Sequence, residues 1–209
     1  MSISGKLVMK KKMEIQKFDD VYILDNFLPE TYTSILEEFY LGDIFEWEKV
    51  RDVSNFGDGT ERVGYHYLLA DPNTQFFHPP SRAFHFTIPM VFFAFQHVGM
   101  EVERVLKSRA FKIEPLYKDI DPIHIDIDYP HWVCLYYPHD VDGDTVLFKE
   151  KFPDVSLDEA FKNSSEFTEY MRVTPKRGRA VLFDGYRFHC SSRSRDKTRI
   201  IVNTDVVIK

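Results

Sequence analysis

Cysteine is nearly absent from this chain: Cys134 and Cys190 are the only two among 209 residues. Two thiols cannot build a disulfide framework and they suit a reducing compartment, so the expected setting is cytoplasmic. Long apolar runs are missing too. The longest, around "IPMVFFAF", is far below the ~20 residues that cross a bilayer, so no membrane role is expected. Lys10, Lys11 and Lys12 are not followed by an apolar stretch of signal-peptide type, so no secretory leader is expected. Positive charge is not in excess: the formal net charge is −6, which disfavours a surface devoted to nucleic acid. Internal repeats, low-complexity linkers, a phosphate-cradling glycine loop and a Ser-His-Asp or Cys-His arrangement are also lacking.

Aromatic residues, in contrast, are plentiful. There are 19 Phe and 11 Tyr, and the chain is 44% hydrophobic and 29% charged. This composition fits a folded domain with an aromatic-rich core. Charge is unevenly spread. Acids dominate from Asp119 to Glu159, whereas Arg172 to Arg199 holds nine Lys or Arg against two Asp. The basic end is either a solvated surface or a means of attracting an anionic substrate.

Periodicity divides the chain. "VYILDNF" (Val21–Phe27) reads as a strand. "LPETYTSILEEFY" reads as a helix with Pro29 near its first turn and Ile35, Leu36, Phe39 and Tyr40 on its apolar face. Strands are expected at Phe45–Arg51 and Arg62–Leu69. A long helix is expected from about Ala83 to Ser108, because Val91, Phe92, Phe95, Val98, Val102 and Val105 recur at helical spacing. From Ala110 onward, short β-rich runs alternate with Asp, Gly and Pro turns, interrupted by one short helix at about Leu157–Asn163. Such spacing favours a sandwich or barrel over a parallel sheet. The expected architecture is α+β: one domain over residues 1–209, with residues 1–109 a helical support and 110–209 the β core.

Within "IHIDIDYPHWVCLYYP" (Ile123–Pro138), His124 and Asp126 are two apart. In a strand they share one face, roughly 6.6 Å apart, while Ile123, Ile125 and Ile127 share the other and should be core. A His-x-Asp pair arises by chance roughly 0.7 times in such a chain, so alone it is a weak metal signal. Later, "PKRGRAVLFDGYRFHCSSRSRDKTRIIVN" carries a glycine turn, an apolar strand, a second turn, His189 and, ten residues on, Arg199. Two His and one carboxylate make the facial set that leaves positions open on a non-haem Fe(II) ion, and a planar guanidinium suits a carboxylate co-substrate.

Together these segments resemble the Fe(II)- and 2-oxoglutarate-dependent dioxygenases, prolyl-4-hydroxylase-like branch, over about residues 18–209. "IHIDID" resembles the family's metal-binding His-x-Asp. "WVCLYYP" resembles the next core strand, "DGDTVLF" the Gly-Gly-x-Thr-x-Phe turn, and "TPKRGRAVLFDGYRFH" the segment leading to the distal His. The resemblance implies a double-stranded β-helix (jelly-roll) core with N-terminal helices packed on one sheet. It implies that His124, Asp126 and His189 bind Fe(II), and that Arg199 pairs with 2-oxoglutarate, helped by Tyr137. Tyr137 shares its face with Val133 and Leu135, while Tyr136 points away. Ser191 and Asn203 face the same pocket. Fe(II), 2-oxoglutarate and O2 are the implied cofactors, with ascorbate as an accessory reductant. The implied reaction hydroxylates a C–H bond, prolyl by family analogy, releasing succinate and CO2.

Two positions depart from the family pattern: Asp144 replaces the second glycine of the turn, and Pro138 follows the Tyr pair. Asp128 is expected to cap the turn at Tyr129–Pro130. His131 and His139, at strand ends, are expected to face solvent. His66, His78, His85 and His97 are read as structural, and Cys134 and Cys190 as core. Residues 44–82 and 149–174 are the expected lids and substrate readers, with a peptide or small molecule, anionic or not, as substrate. Two other readings fit the fold: a jelly-roll module that only binds, and a cupin-like metalloenzyme that needs no 2-oxoglutarate.

Overall fold

A computed structural model describes residues 11–43, 45–50, 64–70, 81–115, 120–157, 160 and 164–209. The elements run β1 (Glu14–Phe18), β2 (Val21–Asp25), α1 (Glu30–Leu41), β3 (Glu48–Val50), β4 (Gly64–Ala70), α2 (Arg82–His97) and β5 (Val102–Ile113). After them come β6 (Trp132–Tyr137), β7 (Thr145–Lys151), β8 (Glu169–Val173), β9 (Arg179–Asp184), β10 (Arg187–Ser191) and β11 (Arg199–Ile208). Eight strands form one antiparallel sheet in the order β1-β2-β9-β6-β11-β5-β4-β3, and three form a second in the order β10-β7-β8. The N-terminal half is therefore not a purely helical support, since β1 to β4 extend the large sheet.

Three apolar layers follow from strand alternation. Between the sheets lie Val133, Leu135 and Tyr137 of β6, Val181 and Phe183 of β9, Leu147 of β7 and Ile201 of β11. The opposite face of the large sheet, with Cys134, Tyr136, Leu182 and Val202, is covered by Leu36 and Tyr40 of α1 and Met90, Val91 and Phe95 of α2. The outer face of the small sheet buries Val146, Phe148, Phe188 and Cys190 with Ile123. The helices thus pack on one sheet, and both cysteines are core. On α1 the buried positions are Thr33, Leu36 and Tyr40, whereas Ile35 is exposed.

The helix expected to reach Ser108 stops at His97. Gly99 adopts a left-handed conformation (φ 77°), and the Met100 N–H turns back to the Phe95 carbonyl at 3.0 Å. This is a glycine-terminated helix end. The valines at 98, 102 and 105 mimic helical spacing, but Val102 and Val105 belong to β5. There Leu106, Ser108 and Ala110 are buried, while Lys107, Arg109, Phe111 and Ile113 turn to the other face. At its other end α2 is capped as its sequence allows, with Ser81 Oγ accepting from the Phe84 N–H. β1 was not expected: every residue of it is exposed, so no apolar alternation marks it. The expected strands at 45–51 and 62–69 are realised as β3 and β4, with 51–63 outside the described residues. Of the helix expected at Leu157–Asn163, only residues 157 and 160 are described, and both are helical.

One charged cluster ties the sheets together. Asp20, in the β1–β2 turn of the large sheet, accepts from Arg187 Nη2 at 2.6 Å and from Lys151 Nζ at 2.5 Å, both on the small sheet. Lys151 also reaches Asp184 of β9 at 2.9 Å. Burial pushes the Asp20 carboxyl up, but the Lys151 and Arg187 hydrogen bonds hold it below its usual range. Arg187 is buried, so losing its partner is costly. Asp20→Ala should lower unfolding free energy at pH 7 by roughly 2–4 kcal/mol in urea titrations, with Asp20→Asn less harmful. An unchanged midpoint would show that the cluster does not join the sheets.

Candidate metal centre

The segment 121–126 is not the regular strand its alternation suggests. Pro122 has no N–H, so the ladder with β10 breaks there. Two bonds survive around the break: the Asp121 N–H donates to the Ser191 carbonyl at 2.7 Å, and His124 and His189 exchange reciprocal backbone bonds of 3.0 and 2.9 Å. That isolated bridge sets the two imidazoles side by side, ring centroids 4.6 Å apart. Each ring is fixed by a backbone carbonyl two residues earlier. His124 Nδ1 lies 2.9 Å from the Pro122 oxygen, and His189 Nδ1 lies 3.2 Å from the Arg187 oxygen. A carbonyl only accepts, so Nδ1 carries the proton and Nε2 keeps its lone pair free for a ligand.

Asp126 completes the group. One ligand atom from each of His124, Asp126 and His189 lies within 4.8 Å of the others. Asp126 Oδ2 is 3.3 Å from His189 Nε2 and accepts from Asn203 Nδ2 at 3.0 Å, while Oδ1 accepts from Arg109 Nη2 at 2.7 Å. Burial raises the Asp126 carboxyl, but His189, Arg109 and His124 hold it well below the usual carboxylate range. Burial, then His189, pushes His124 down to about 4. His124 is thus a neutral imidazole and Asp126 an ionised carboxylate, the protonation states a divalent metal requires of such ligands.

The same cavity, about 380 Å³, holds Arg199. Its guanidinium donates to Ser191 Oγ at 2.8 Å and Thr145 Oγ1 at 3.0 Å, and lies over the Tyr137 ring at 5.8 Å. Tyr137 Oη and Thr145 Oγ1 are 2.6 Å apart. Arg199 is 2% exposed, its Nε has no partner, and among the described residues it makes no ion pair. Burial lowers its pKa, yet a guanidinium stays charged. Phe111, Ile113, Leu135 and Ile201 supply an apolar wall.

His124, Asp126, His189, Arg199, Ser191 and Asn203 therefore meet in one cavity. Tyr137 sits beneath Arg199 with its parity as expected, and Tyr136 packs on the helix side. Ile123 is core, but Ile125 lines the cavity. Asp128 is exposed at a bend and stands outside the ligand group. His131 and His139 do not face solvent freely. His131 is 4% exposed, held by the Tyr129 carbonyl at 2.6 Å, and its ring fills the space where a Gly185 Cβ would stand, 2.2 Å away. His139 is half-buried and its Nε2 accepts from the Ile200 N–H at 3.1 Å, pinning the start of β11 beside Arg199. Of the basic loop, Arg193 and Ser194 are buried, Arg193 against Asp121 at 2.7 Å, while Arg195, Asp196 and Lys197 are exposed. Sequence reasoning missed Arg109 and the grip of Thr145 on Arg199. A strand recognised from Val102 would have put Arg109 on the cavity face by parity.

No protein-family model and no curated protein matches the chain by sequence. Solved structures do match its fold. The non-heme alpha-ketoglutarate-dependent epimerase SnoN from nogalamycin biosynthesis superposes with a TM-score of 0.62 at 12% identity, over 90% of this chain and 78% of that one. A Trichoplax adhaerens prolyl hydroxylase, in complex with a peptide fragment of the hypoxia-inducible-factor oxygen degradation domain, gives 0.57 at 12% identity, over 90% and 84%. A Pseudomonas putida prolyl-4-hydroxylase gives 0.54 at 15% identity, over 91% and 93%. The chain shares the fold of these proteins. No described helix is long and apolar enough to cross a membrane.

The buried histidines make stability depend on pH. Burial lowers the pKa of His124, His131 and His139 in the fold. Their neutral forms therefore contribute fully above the unfolded value of about 6.5, and that contribution is lost as pH falls through it towards the lowered folded values. Metal-free protein should lose roughly 2 kcal/mol of unfolding free energy between pH 7 and pH 5. His139→Gln, which keeps an acceptor for Ile200, should lose less. Equal urea midpoints at both pH values for wild type would contradict this.

Proposed function

We propose that this chain is an Fe(II)- and 2-oxoglutarate-dependent oxygenase that hydroxylates a C–H bond. One observation carries the reading: a buried guanidinium with no direct ion pair among the described residues, the nearby Asp121 being paired with Arg193, shares a cavity with a two-histidine, one-carboxylate group. A buried cation without an anion is costly, so the pocket is built for a ligand with a carboxylate. Ser191, which holds Arg199, lies two residues beyond His189 on β10, roughly 6.6 Å along the strand. A short dicarboxylic acid can span from the metal to Arg199 across that interval.

The residues fit the roles the reading assigns. His124 and His189 present Nε2 because their Nδ1–H groups are tied to carbonyls. Asp126 adds the negative charge. Bound there, Fe(II) with 2-oxoglutarate would supply the electrons that activate O2, one oxygen atom ending in succinate as CO2 leaves and the other hydroxylating the substrate C–H bond. Arg199, oriented by Thr145 and Ser191, neutralises the far carboxylate, and Tyr137 packs under the guanidinium while holding Thr145. The apolar wall excludes water from the reacting centre. In this reading the core is a jelly roll, closed by the two sheets and the 121–126 segment, and it forms one domain over residues 1–209. The prolyl side chain of a peptide is the first substrate class to assay, because two of the similar folds belong to prolyl hydroxylases.

Anaerobic titration of Fe(II) and then 2-oxoglutarate should produce a weak visible charge-transfer band. His189→Ala should abolish it, and Arg199→Ala should raise the 2-oxoglutarate needed by roughly 30-fold or more, the loss expected for a buried charge partner. Iron binding with no band would favour a metalloenzyme that does not use 2-oxoglutarate. Binding of neither would leave a non-enzymatic module.

A further inference from the structure

We propose that Arg109 is the positioning residue of the metal carboxylate: it holds Asp126 as a one-oxygen ligand and so keeps one more position on the metal open. This rests on the metal reading of the site.

The geometry is specific. Arg109 on β5 and Asn203 on β11 are direct cross-strand partners. Both face the cavity, and each donates to a different oxygen of Asp126: Arg109 to Oδ1 at 2.7 Å, Asn203 to Oδ2 at 3.0 Å. Oδ2 lies on the His189 side, 3.3 Å from Nε2. A carboxylate oxygen has two acceptor sites, so Oδ2 can keep Asn203 and still take a metal. Oδ1 is engaged in a charge-assisted bond to Arg109. Arg109 is itself held in place. Its guanidinium lies over the Phe111 ring at 5.2 Å, and Nη2 is 4.0 Å from Oδ2 of the fully buried Asp205. Asp205 Oδ1 in turn is 3.9 Å from Nε2 of the buried His131. For Oδ1 to swing onto a metal the carboxylate must turn out of the geometry in which it meets Arg109, weakening the closest carboxylate contact of a partly buried guanidinium.

The consequence is a matter of counting. Two imidazoles and one oxygen leave about three positions of an octahedral ion open, whereas a two-oxygen carboxylate leaves about two. A 2-oxo acid chelating through two atoms fills two. Only the one-oxygen arrangement then leaves a place for O2. Arg109 thus reserves that place without touching metal or co-substrate.

Mn(II) tests this without turnover. Water-proton relaxation counts the exchangeable waters on the bound ion, before and after 2-oxoglutarate is added. Wild type should show about three, falling to about one with 2-oxoglutarate, and Arg109→Met about two, falling to none. Arg109→Lys, which keeps a cation for Oδ1, should restore the wild-type counts. A purely structural role for Arg109 would change stability and leave the counts alone. If Arg109→Met does not fold, Arg109→Leu, which likewise offers Oδ1 no donor, is judged by the same criterion. A folded, Mn(II)-binding Arg109→Met or Arg109→Leu with wild-type counts overturns the proposal while the functional reading stands. Wild type that binds no Mn(II) overturns both.

Discussion

Two reciprocal backbone hydrogen bonds between His124 and His189 hold the candidate site together. They join a segment with no regular structure to a strand of the small sheet, across 65 residues of chain. Pro122 limits the pairing, and this limit is useful. Freed from a continuous ladder, the chain bends at Asp126 and turns its carboxylate into the same cavity as both imidazoles. The carbonyls on which the rings lean come from the same two segments, so pairing and tautomer are set together.

Around that bridge the molecule places charges in water-poor surroundings and balances them unequally. Asp126 is heavily supplied with donors. Arg199 is held by hydroxyls alone. Charge left over on the cation side is a demand for an anionic ligand, and charge well met on the carboxylate side limits how that carboxylate can turn. The Asp20 cluster performs a different task, joining the sheets at the base of β10 so that His189 is carried on a fixed strand.

Much of this was legible in the sequence, for physical reasons. Strand alternation is strict, so His189 against Cys190 and Tyr137 against Tyr136 could be sorted by parity alone. His189 and Arg199 lie on short strands bounded by turns that a pattern can detect, and His124 and Asp126 lie in a β-like run that pairs only at His124. What escaped depends on geometry that spacing does not encode. Valines at helical intervals continued α2 on paper past Gly99 and hid the cavity face of β5, and Arg109 with it. His131 read as a surface histidine because the glycine that makes room for it, Gly185, is distant in sequence. His139 read likewise because its partner, Ile200, is 61 positions away. The departures at Pro138 and Asp144 leave the candidate metal group intact: Asp144 exchanges hydrogen bonds with Ser192 and keeps the turn tied to the loop before Arg199.

One cavity is proposed to hold a metal on His124, Asp126 and His189 and a dicarboxylate against Arg199. Anomalous diffraction from crystals grown with Mn(II) and 2-oxoglutarate tests it most directly. A single strong peak is expected among those three side chains, with the far carboxylate of the co-substrate on the Arg199 guanidinium. A peak elsewhere, or a filled metal site with Arg199 still facing no anion, would contradict it.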